Sequence, residues 1–147
     1  MSKTIIISSD HAGYSLKKKI LEFRFSSDLV FKDLGPFSEE SVDYPDFAHL
    51  LSNNINEGLF DFGILICGSG IGMSIVANRY KNVRAALCSS KKMAKLSRQH
   101  NNANILVLGS RLISDEEAIK SILTFLSTEF EGGRHQTRLQ KINGVKN

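Results

Sequence analysis

Residues 62–74 read F-G-I-L-I-C-G-S-G-I-G-M-S, and this stretch contains the transition that decides the fold. Its first six residues form a short apolar run of the kind found in buried strands. Three glycines follow at alternate positions, and a helix-like pattern begins at residue 71. A buried strand that turns tightly into a helix is half of a βαβ unit, from which parallel sheets are built. The stretch therefore predicts an α/β fold.

Apolar runs and amphipathic stretches alternate along the rest of the chain in the same way. We predict strands over residues 4–9, 29–34, 62–67, 83–88 and 104–108, and helices over residues 12–25, 45–58, 71–80, 90–100 and 115–130. A polar tail from residue 131 is expected to add one more helix. The pattern predicts a three-layer, Rossmann-like doubly wound fold with a five-stranded parallel sheet, for which the common order is 2-1-3-4-5. Because no repeat or linker interrupts it, residues 1–147 are expected to form a single domain.

Composition and charge exclude several classes of function. The net charge is +4, and the basic residues are scattered, which argues against a nucleic-acid partner and suits a small anionic ligand. No apolar run is long enough to cross a membrane, and no signal peptide is recognisable, so a cytoplasmic location is expected. Cys67 and Cys88 are isolated and no C-x-x-C occurs, so neither a disulfide framework nor a zinc ribbon is predicted.

Polar residues follow strands 1 and 3 at the point where each strand ends. Strand 1 ends in Ser9-Asp10-His11, and strand 3 ends in Cys67 before the glycines. In the predicted order these strands are neighbours whose outgoing connections diverge, which opens a crevice at their carboxyl ends. We expect a ligand site in that crevice.

The glycine turn has two interpretations, an anion site or a tight turn without a ligand. Gly68-x-Gly70-x-Gly72 matches neither the dinucleotide fingerprint nor the P-loop. Glycines at the start of a helix expose backbone N–H groups that can hold an anion. The small hydroxyl residues Ser69 and Ser74 favour the anion site.

Cys67 could be a small core residue or a chemical group. Backbone donors and the following helix would stabilise its thiolate, which could then take a carbon-bound proton. The glycine turn, together with Asp10 and His11, favours this catalytic interpretation. Residue 73 is methionine, so the arginine of a Cys-x5-Arg phosphatase loop is missing.

Two later stretches carry charged side chains whose role the residues alone leave open. His100 lies at a predicted helix end, where acid–base catalysis and interaction with the helix dipole are equally suitable roles. Arg134 and Arg138 are four residues apart and would share one face of a helix, as a phosphate clamp requires. Taken alone, however, this stretch fits a solvated basic tail better.

Six stretches in order resemble the type B ribose-5-phosphate isomerases, a family that also contains galactose-6-phosphate and allose-6-phosphate isomerases. Any one stretch would be weak, but six in the same order are specific. The resemblance runs from Ile5 to about Ile142. The stretches are S-D-H-A-G at 9–13, D-Y-P-D at 43–46, I-C-G-S-G-I-G-M-S at 66–74, L-S-R-Q-H-N at 96–101, L-G-S-R at 108–111 and E-G-G-R-H-Q-T-R at 131–138.

The resemblance implies an aldose–ketose isomerase that interconverts D-ribose 5-phosphate and D-ribulose 5-phosphate through an enediolate, in the non-oxidative branch of the pentose phosphate pathway. A hexose-6-phosphate isomerase and a non-catalytic sugar-phosphate sensor are the alternatives. Such an isomerisation needs a base, an oxyanion site and a phosphate grip, none of which demands a metal or a cofactor.

The resemblance also implies a role for each site residue. Cys67 would be the base, Ser69 would assist at the adjacent oxygens, and Asp10 and His100 would help to open the furanose ring. Family members are dimers or tetramers with shared sites, so we expect a homodimer or a dimer of dimers in which His100 and Asn101 serve the partner's thiol. The implied substrate-binding set is Asp10, His11, Tyr44, Gly68, Ser69, Gly70, Ile71, Gly72, Ser74, Asn101, Arg111, Arg134 and Arg138, with His11, Arg134 and Arg138 on the phosphate.

Overall fold

The computed structural model describes residues 2–144, and strands and helices alternate strictly through most of this range. The strands are β1 (Lys3–Ser9), β2 (Leu29–Asp33), β3 (Phe62–Cys67), β4 (Ala85–Leu87) and β5 (Ile105–Gly109). The helices are α1 (Tyr14–Glu22), α2 (Tyr44–Asn56), α3 (Ile71–Ala77), α4 (Lys91–Asn101), α5 (Asp115–Ser127) and α6 (Arg134–Leu139).

The five strands form one parallel sheet in the order β2-β1-β3-β5-β4. The predicted fold class is therefore confirmed, but the predicted order 2-1-3-4-5 is wrong in its last two strands. The inner strand β5 is apolar and buried at every residue, whereas the stretch predicted as strand 4 contains the charged Arg84 and its β4 residues are only half-buried. A position with neighbours on both sides and helices on both faces favours the more apolar strand, so β5 takes the inner position and β4 takes the edge.

This exchange leaves the predicted crevice in place. Strands β1 and β3 are neighbours, paired from Ile5 opposite Phe62 to Ser9 opposite Ile66. The chain leaves β1 towards β2 on one side and leaves β3 towards β4 on the other. The two outgoing connections therefore diverge at the carboxyl ends of β1 and β3, as a topological switch point requires.

Helices cover both faces of the sheet and bury two apolar clusters. One cluster joins α1, α4 and α5 to the face that carries Ile64 and Ile66, and the other joins α2 and α3 to the face that carries Leu65 and Cys67. Successive side chains of a strand point to opposite faces, so β3 contributes to both clusters. Each fully buried leucine or isoleucine contributes about 1.5–3 kcal/mol. The Cys67 thiol thus lies on the face covered by α2 and α3.

Local signals explain where several helices begin. The hydroxyls of Ser90 and Ser114 accept hydrogen bonds from the backbone N–H groups of Met93 and Glu117, which caps α4 and α5. Helix α1 is shorter than the predicted range 12–25, because residues 10–13 form the loop that contacts β3. Helix α6 confirms the predicted helical tail. Across residues 2–144, no helix combines the length and the apolar character that crossing a bilayer demands.

Candidate active site

A cleft of about 600 Å³ lies at the carboxyl ends of β1 and β3, where the topology predicts it. The connections after β1, β3 and β5 and the start of α2 form its walls. It brings together most of the site residues expected from the first two thirds of the chain. Its lining consists of Asp10, His11, Ala12, Tyr44, Cys67, Gly68, Ser69, Ile71, Gly72, Ile75, Arg111 and Leu112.

The glycine turn presents a backbone donor to the Cys67 sulfur. Gly70 has a left-handed backbone (φ 80°), and its N–H donates a hydrogen bond to Cys67 Sγ at 3.1 Å. A Cβ on Gly70 would lie 2.5 Å from Cδ1 of Leu87, so both its conformation and its surroundings require glycine. The thiol is 5% exposed and lines the cleft. Cys67 is therefore not sealed in the core, and an N–H group is in position to stabilise its thiolate.

Other N–H groups of the turn remain available for an anion. The N–H of Ile71 donates to Ser69 Oγ at 3.2 Å. The N–H groups of Gly68, Ser69 and Gly72 have no acceptor among residues 2–144. Unpaired donors at the start of a helix are the groups that hold negative charge. The turn can therefore stabilise the thiolate and a substrate oxyanion with different donors.

Two members of the predicted set on this turn do not line the cleft. One is Gly70, which donates to the Cys67 sulfur, and the other is Ser74. Its hydroxyl donates to the carbonyl oxygen of Ile71 at 2.8 Å, within α3. This bond satisfies the side chain inside its own helix. The sequence could not distinguish this helical hydrogen bond from a ligand contact.

Asp10 is fixed against the end of β3. Its backbone N–H donates to the Ile66 carbonyl at 3.1 Å, and its Oδ1 accepts from the Gly13 N–H at 2.9 Å. A Cβ on Gly13 would lie only 2.4 Å from the Ile66 carbonyl oxygen, so glycine is required for this close approach. Asp10 is 7% exposed, yet it lines the cleft. These contacts place the Asp10 carboxylate beside the end of β3, the strand that carries Cys67.

His11 and Arg111 supply hydrogen-bond donors to the cleft, and the guanidinium of Arg111 also supplies a positive charge. The Val42 N–H donates to His11 Nδ1 at 3.2 Å, which leaves Nε2 to act as the donor. Arg111 is exposed, and its guanidinium lies over Gly68, where a Cβ would be 2.8 Å from Nη1. Both groups suit an anionic ligand.

The absence of a side chain at Gly72 leaves room for the Tyr44 ring, as Gly68 leaves room for Arg111. A Cβ at residue 72 would lie 2.4 Å from Cε1 of the Tyr44 ring. Tyr44 is the first residue of α2, and its ring lines the cleft beside Gly72. The glycines at 68 and 72 thus admit side chains as well as exposing backbone, a function that the sequence pattern did not indicate.

The remaining predicted residues lie elsewhere in the chain. His100 and Asn101 end α4, and Arg134 and Arg138 belong to α6, and none of these four lines the cleft. Helix α4 runs back from the carboxyl edge of the sheet, so its last residues lie at the amino edge, just before β5. The four residue steps of β5 alone span roughly 13 Å between the two edges. One chain therefore does not bring His100 to its own Cys67.

Two residues beside His100 were not predicted. Glu131 Oε1 lies 3.9 Å from His100 Nε2 and 3.6 Å from His135 Nε2, and the two imidazole rings stack with their centroids 4.5 Å apart. Desolvation, together with the positive charges of His100 and Arg134, lowers the pKa of His135 below its ordinary value. The sequence feature that could have revealed this cluster is the four-residue spacing of Glu131 and His135, with Gly132 and Gly133 between them.

The two cysteines should differ in reactivity. Burial raises the pKa of the Cys88 thiol to about 11, so it stays protonated at neutral pH and resists alkylation. Cys67 lines the cleft and receives an N–H hydrogen bond. We expect iodoacetamide to modify Cys67 alone in the native protein, as measured by peptide mass spectrometry. Labelling in urea should modify both thiols, and native labelling of Cys88 would contradict the prediction.

The fold and the cleft define a doubly wound α/β protein with a cysteine and free backbone N–H groups in a cleft at the switch point of its sheet. Residues 5–142 match the family described as Ribose/Galactose Isomerase, and the chain belongs to this family.

Individual relatives agree over nearly the whole chain. The chain is 40% identical to a protein named ribose-5-phosphate isomerase B from Escherichia coli, over 98% of this chain and 97% of the relative. A crystal structure of a ribose 5-phosphate isomerase from Thermotoga maritima is 52% identical, with a TM-score of 0.93 and coverage of 99% and 100%. A structure of ribose-5-phosphate isomerase B from Mycoplasma genitalium with bound ribulose-5-phosphate is 49% identical, with a TM-score of 0.90 and coverage of 97% and 95%.

Proposed function

We propose that the chain is an isomerase that interconverts D-ribose 5-phosphate and D-ribulose 5-phosphate. The observation that carries this proposal is the Cys67 thiol, which lines an open cleft and accepts a hydrogen bond from the Gly70 N–H. The relatives named as ribose-5-phosphate isomerases, one of them with bound ribulose-5-phosphate, favour the pentose substrate over a hexose phosphate and favour an enzyme over a sensor.

In the proposed reaction, the Cys67 thiolate removes the proton from C2 of the open-chain aldose. The electron pair forms the C1–C2 double bond, and negative charge develops on O1. The free N–H groups of Gly68, Ser69 and Gly72 are available to that oxygen, and each such donor is worth roughly 10²–10³ in rate. The thiol then returns the proton to C1. Ser69 assists as the O2 proton moves to O1, which leaves the carbonyl at C2 of the ketose.

The furanose ring must open before this step. One group takes the proton of the C1 hydroxyl, and another protonates the ring oxygen. We assign this work to Asp10 and His100, because a carboxylate and an imidazole can exchange protons near neutral pH. Asp10 and His100 can fill both ring-opening roles without a metal ion or a cofactor.

A second copy of the chain would complete the site. In one chain, His100, Asn101, Arg134 and Arg138 are at the opposite edge of the sheet from the cleft. The cleft also exposes apolar side chains, with Leu112 66% exposed and Ile71 and Ile75 more than half exposed. Such groups at the mouth of a site suit an interface. We therefore propose a homodimer or a dimer of dimers in which the partner contributes His100, Asn101 and both arginines.

Two further expectations belong to this proposal. A single domain over residues 1–147 is supported by the one sheet on which helices pack from both faces. A cytoplasmic location is supported by the chemistry of the substrate, because charged sugar phosphates are made and consumed inside the cell.

The function is tested by incubating the purified protein with ribose 5-phosphate in the presence of EDTA. We expect ribulose 5-phosphate to form at a rate typical of enzymes, with kcat of about 1–10³ s⁻¹. Turnover of allose 6-phosphate or galactose 6-phosphate without turnover of ribose 5-phosphate would instead identify a hexose-phosphate isomerase. Binding of ribose 5-phosphate without any turnover would identify a sensor.

Arg138→Ala should weaken substrate binding more than it slows the chemistry. A charge-assisted hydrogen bond to phosphate is worth about 1.5–3 kcal/mol, which corresponds to a rise in KM of roughly 10- to 100-fold. Because phosphate lies far from C1 and C2, kcat should change little. Steady-state kinetics would measure both constants. Arg24→Ala, at an exposed arginine on the loop after α1, is the control and should leave KM unchanged.

A further inference from the structure

We propose that His100, Glu131 and His135 form a binding site for a divalent transition-metal ion such as Zn²⁺. One ligand atom from each side chain lies within 4.8 Å of the other two. Two imidazole nitrogens and one carboxylate oxygen are a ligand set that Zn²⁺ takes in proteins, with a water as the fourth ligand.

The two distances from the carboxylate to the imidazoles are close to those of an occupied site. Zn–N and Zn–O bonds of about 2.0–2.2 Å place the ligands of a tetrahedral ion about 3.3 Å apart. Glu131 Oε1 lies 3.6 Å from His135 Nε2 and 3.9 Å from His100 Nε2. The ligand nitrogens of His100 and His135 lie within 4.8 Å of each other, and their rings are stacked with 13° between the ring planes. Both imidazoles must therefore rotate out of the stack, with the two nitrogens approaching by up to about 1.5 Å, for all three atoms to contact one ion.

The backbone holds these side chains together. The Glu131 N–H donates to the Gln99 carbonyl at 3.1 Å, which ties this segment to the last turn of α4 beside His100. Gly132 and Gly133 both have positive φ, 70° and 59°, and nothing lies within 4 Å of a Cβ built on either. The glycines are therefore needed for the conformation of the turn, which brings Glu131 back against the first turn of α6.

The cluster is open to solvent on one side. His100 is 41% exposed and Glu131 is 49% exposed, whereas His135 is only 11% exposed beneath the stacked His100 ring. A metal ion can therefore enter from solution and keep a water ligand. The more buried His135 would hold the site on the protein side.

Metal binding at this cluster would compete with catalysis. A metal on His100 Nε2 occupies one nitrogen of the imidazole to which we assign ring opening. This consequence rests on the proposed function, whereas metal binding itself does not. We therefore expect Zn²⁺ to inhibit the isomerase reversibly, with EDTA restoring the activity.

The binding test uses the full-length Cys67→Ala protein, because the cleft thiol is a second potential zinc ligand. We expect calorimetry to show one Zn²⁺ per chain, and Co²⁺ to give visible absorption bands that Zn²⁺ displaces. Glu131→Gln and His135→Gln should each weaken Zn²⁺ binding at least about 100-fold, since loss of a ligand exceeds the 10–100-fold cost of losing an outer-shell partner. His49→Gln is the matched control, because His49 pairs with Tyr80 away from the cluster.

Two results would overturn the metal-site proposal, and a third would refute only the proposed function. Absence of Zn²⁺ binding to the folded Cys67→Ala protein would overturn the proposal. Undiminished binding by Glu131→Gln would also overturn it, and circular dichroism would show that this variant, changed at a half-exposed side chain, is folded. Because calorimetry is independent of turnover, a chain that binds Zn²⁺ but fails to isomerise ribose 5-phosphate would refute the proposed function alone.

Discussion

Replacing Cys67 by alanine is expected to lower kcat for ribose 5-phosphate by about 10³-fold or more, because it removes the proposed base from the cleft. The fold should persist. Cys67 packs against α3 at the end of β3, and the loss of one sulfur atom costs about 1 kcal/mol, which a domain of this size tolerates. Steady-state kinetics measure the loss, and circular dichroism with thermal unfolding checks the fold.

The matched control is Cys88→Ala. Cys88 is buried, does not line the cleft and has a raised pKa, so its replacement should leave kcat near the wild-type value. Cys67→Ser is a second comparison, because a hydroxyl of similar size is a far weaker acid than a thiol and should restore little activity. A Cys67→Ala protein with wild-type kcat would show that another group moves the proton.

The order of helices and strands could be predicted because each element carries its own pattern. The run at 62–67 is apolar throughout, and β3 has the predicted bounds. The exchange of β4 and β5 could not be predicted from the common topology. The order depends on which strand can be buried between two others. The charged Arg84 next to β4 disfavours that burial, so β4 lies at the edge. The local pattern thus predicts the elements, whereas relative burial decides their neighbours.

The cleft could be predicted in part from the residues alone. Asp10, His11 and Cys67 follow strands that the topology brings together, so their proximity follows from strand order. Tyr44 and Arg111 were expected only through the family resemblance. Their place in the cleft depends on contacts with glycines at 72 and 68, and no pattern in the sequence encodes those contacts.

The cluster of His100, Glu131 and His135 at the amino edge of the sheet shows what the sequence alone does not reveal. His100 was expected to act on a substrate, yet in one chain it contacts the α6 region and lies apart from the cleft. A sequence shows which side chains are suited to a reaction, but it does not show which copy of the chain supplies them. The shared site is therefore the part of the proposal that needs the most direct test.

His100→Asn should by itself reduce kcat by about 10²–10⁴-fold, the usual contribution of a positioned acid–base group. The side chain is partly exposed, so the variant should fold normally. Measured alone, this loss would not reveal whether His100 serves its own chain or its partner. A mixture of two inactive variants can make that distinction.

We expect activity to return when Cys67→Ala and His100→Asn chains are co-refolded in equal amounts. In a two-fold symmetric dimer with shared sites, each heterodimer has one site with both the thiol and the imidazole intact and one site that lacks both. Half of randomly assembled dimers are heterodimers, so about a quarter of the wild-type activity should appear. Each variant co-refolded with itself is the control and should stay inactive. If His100 instead acts on the Cys67 of its own chain, every site in the mixture lacks one group, and the activity would stay at the level of the separate variants.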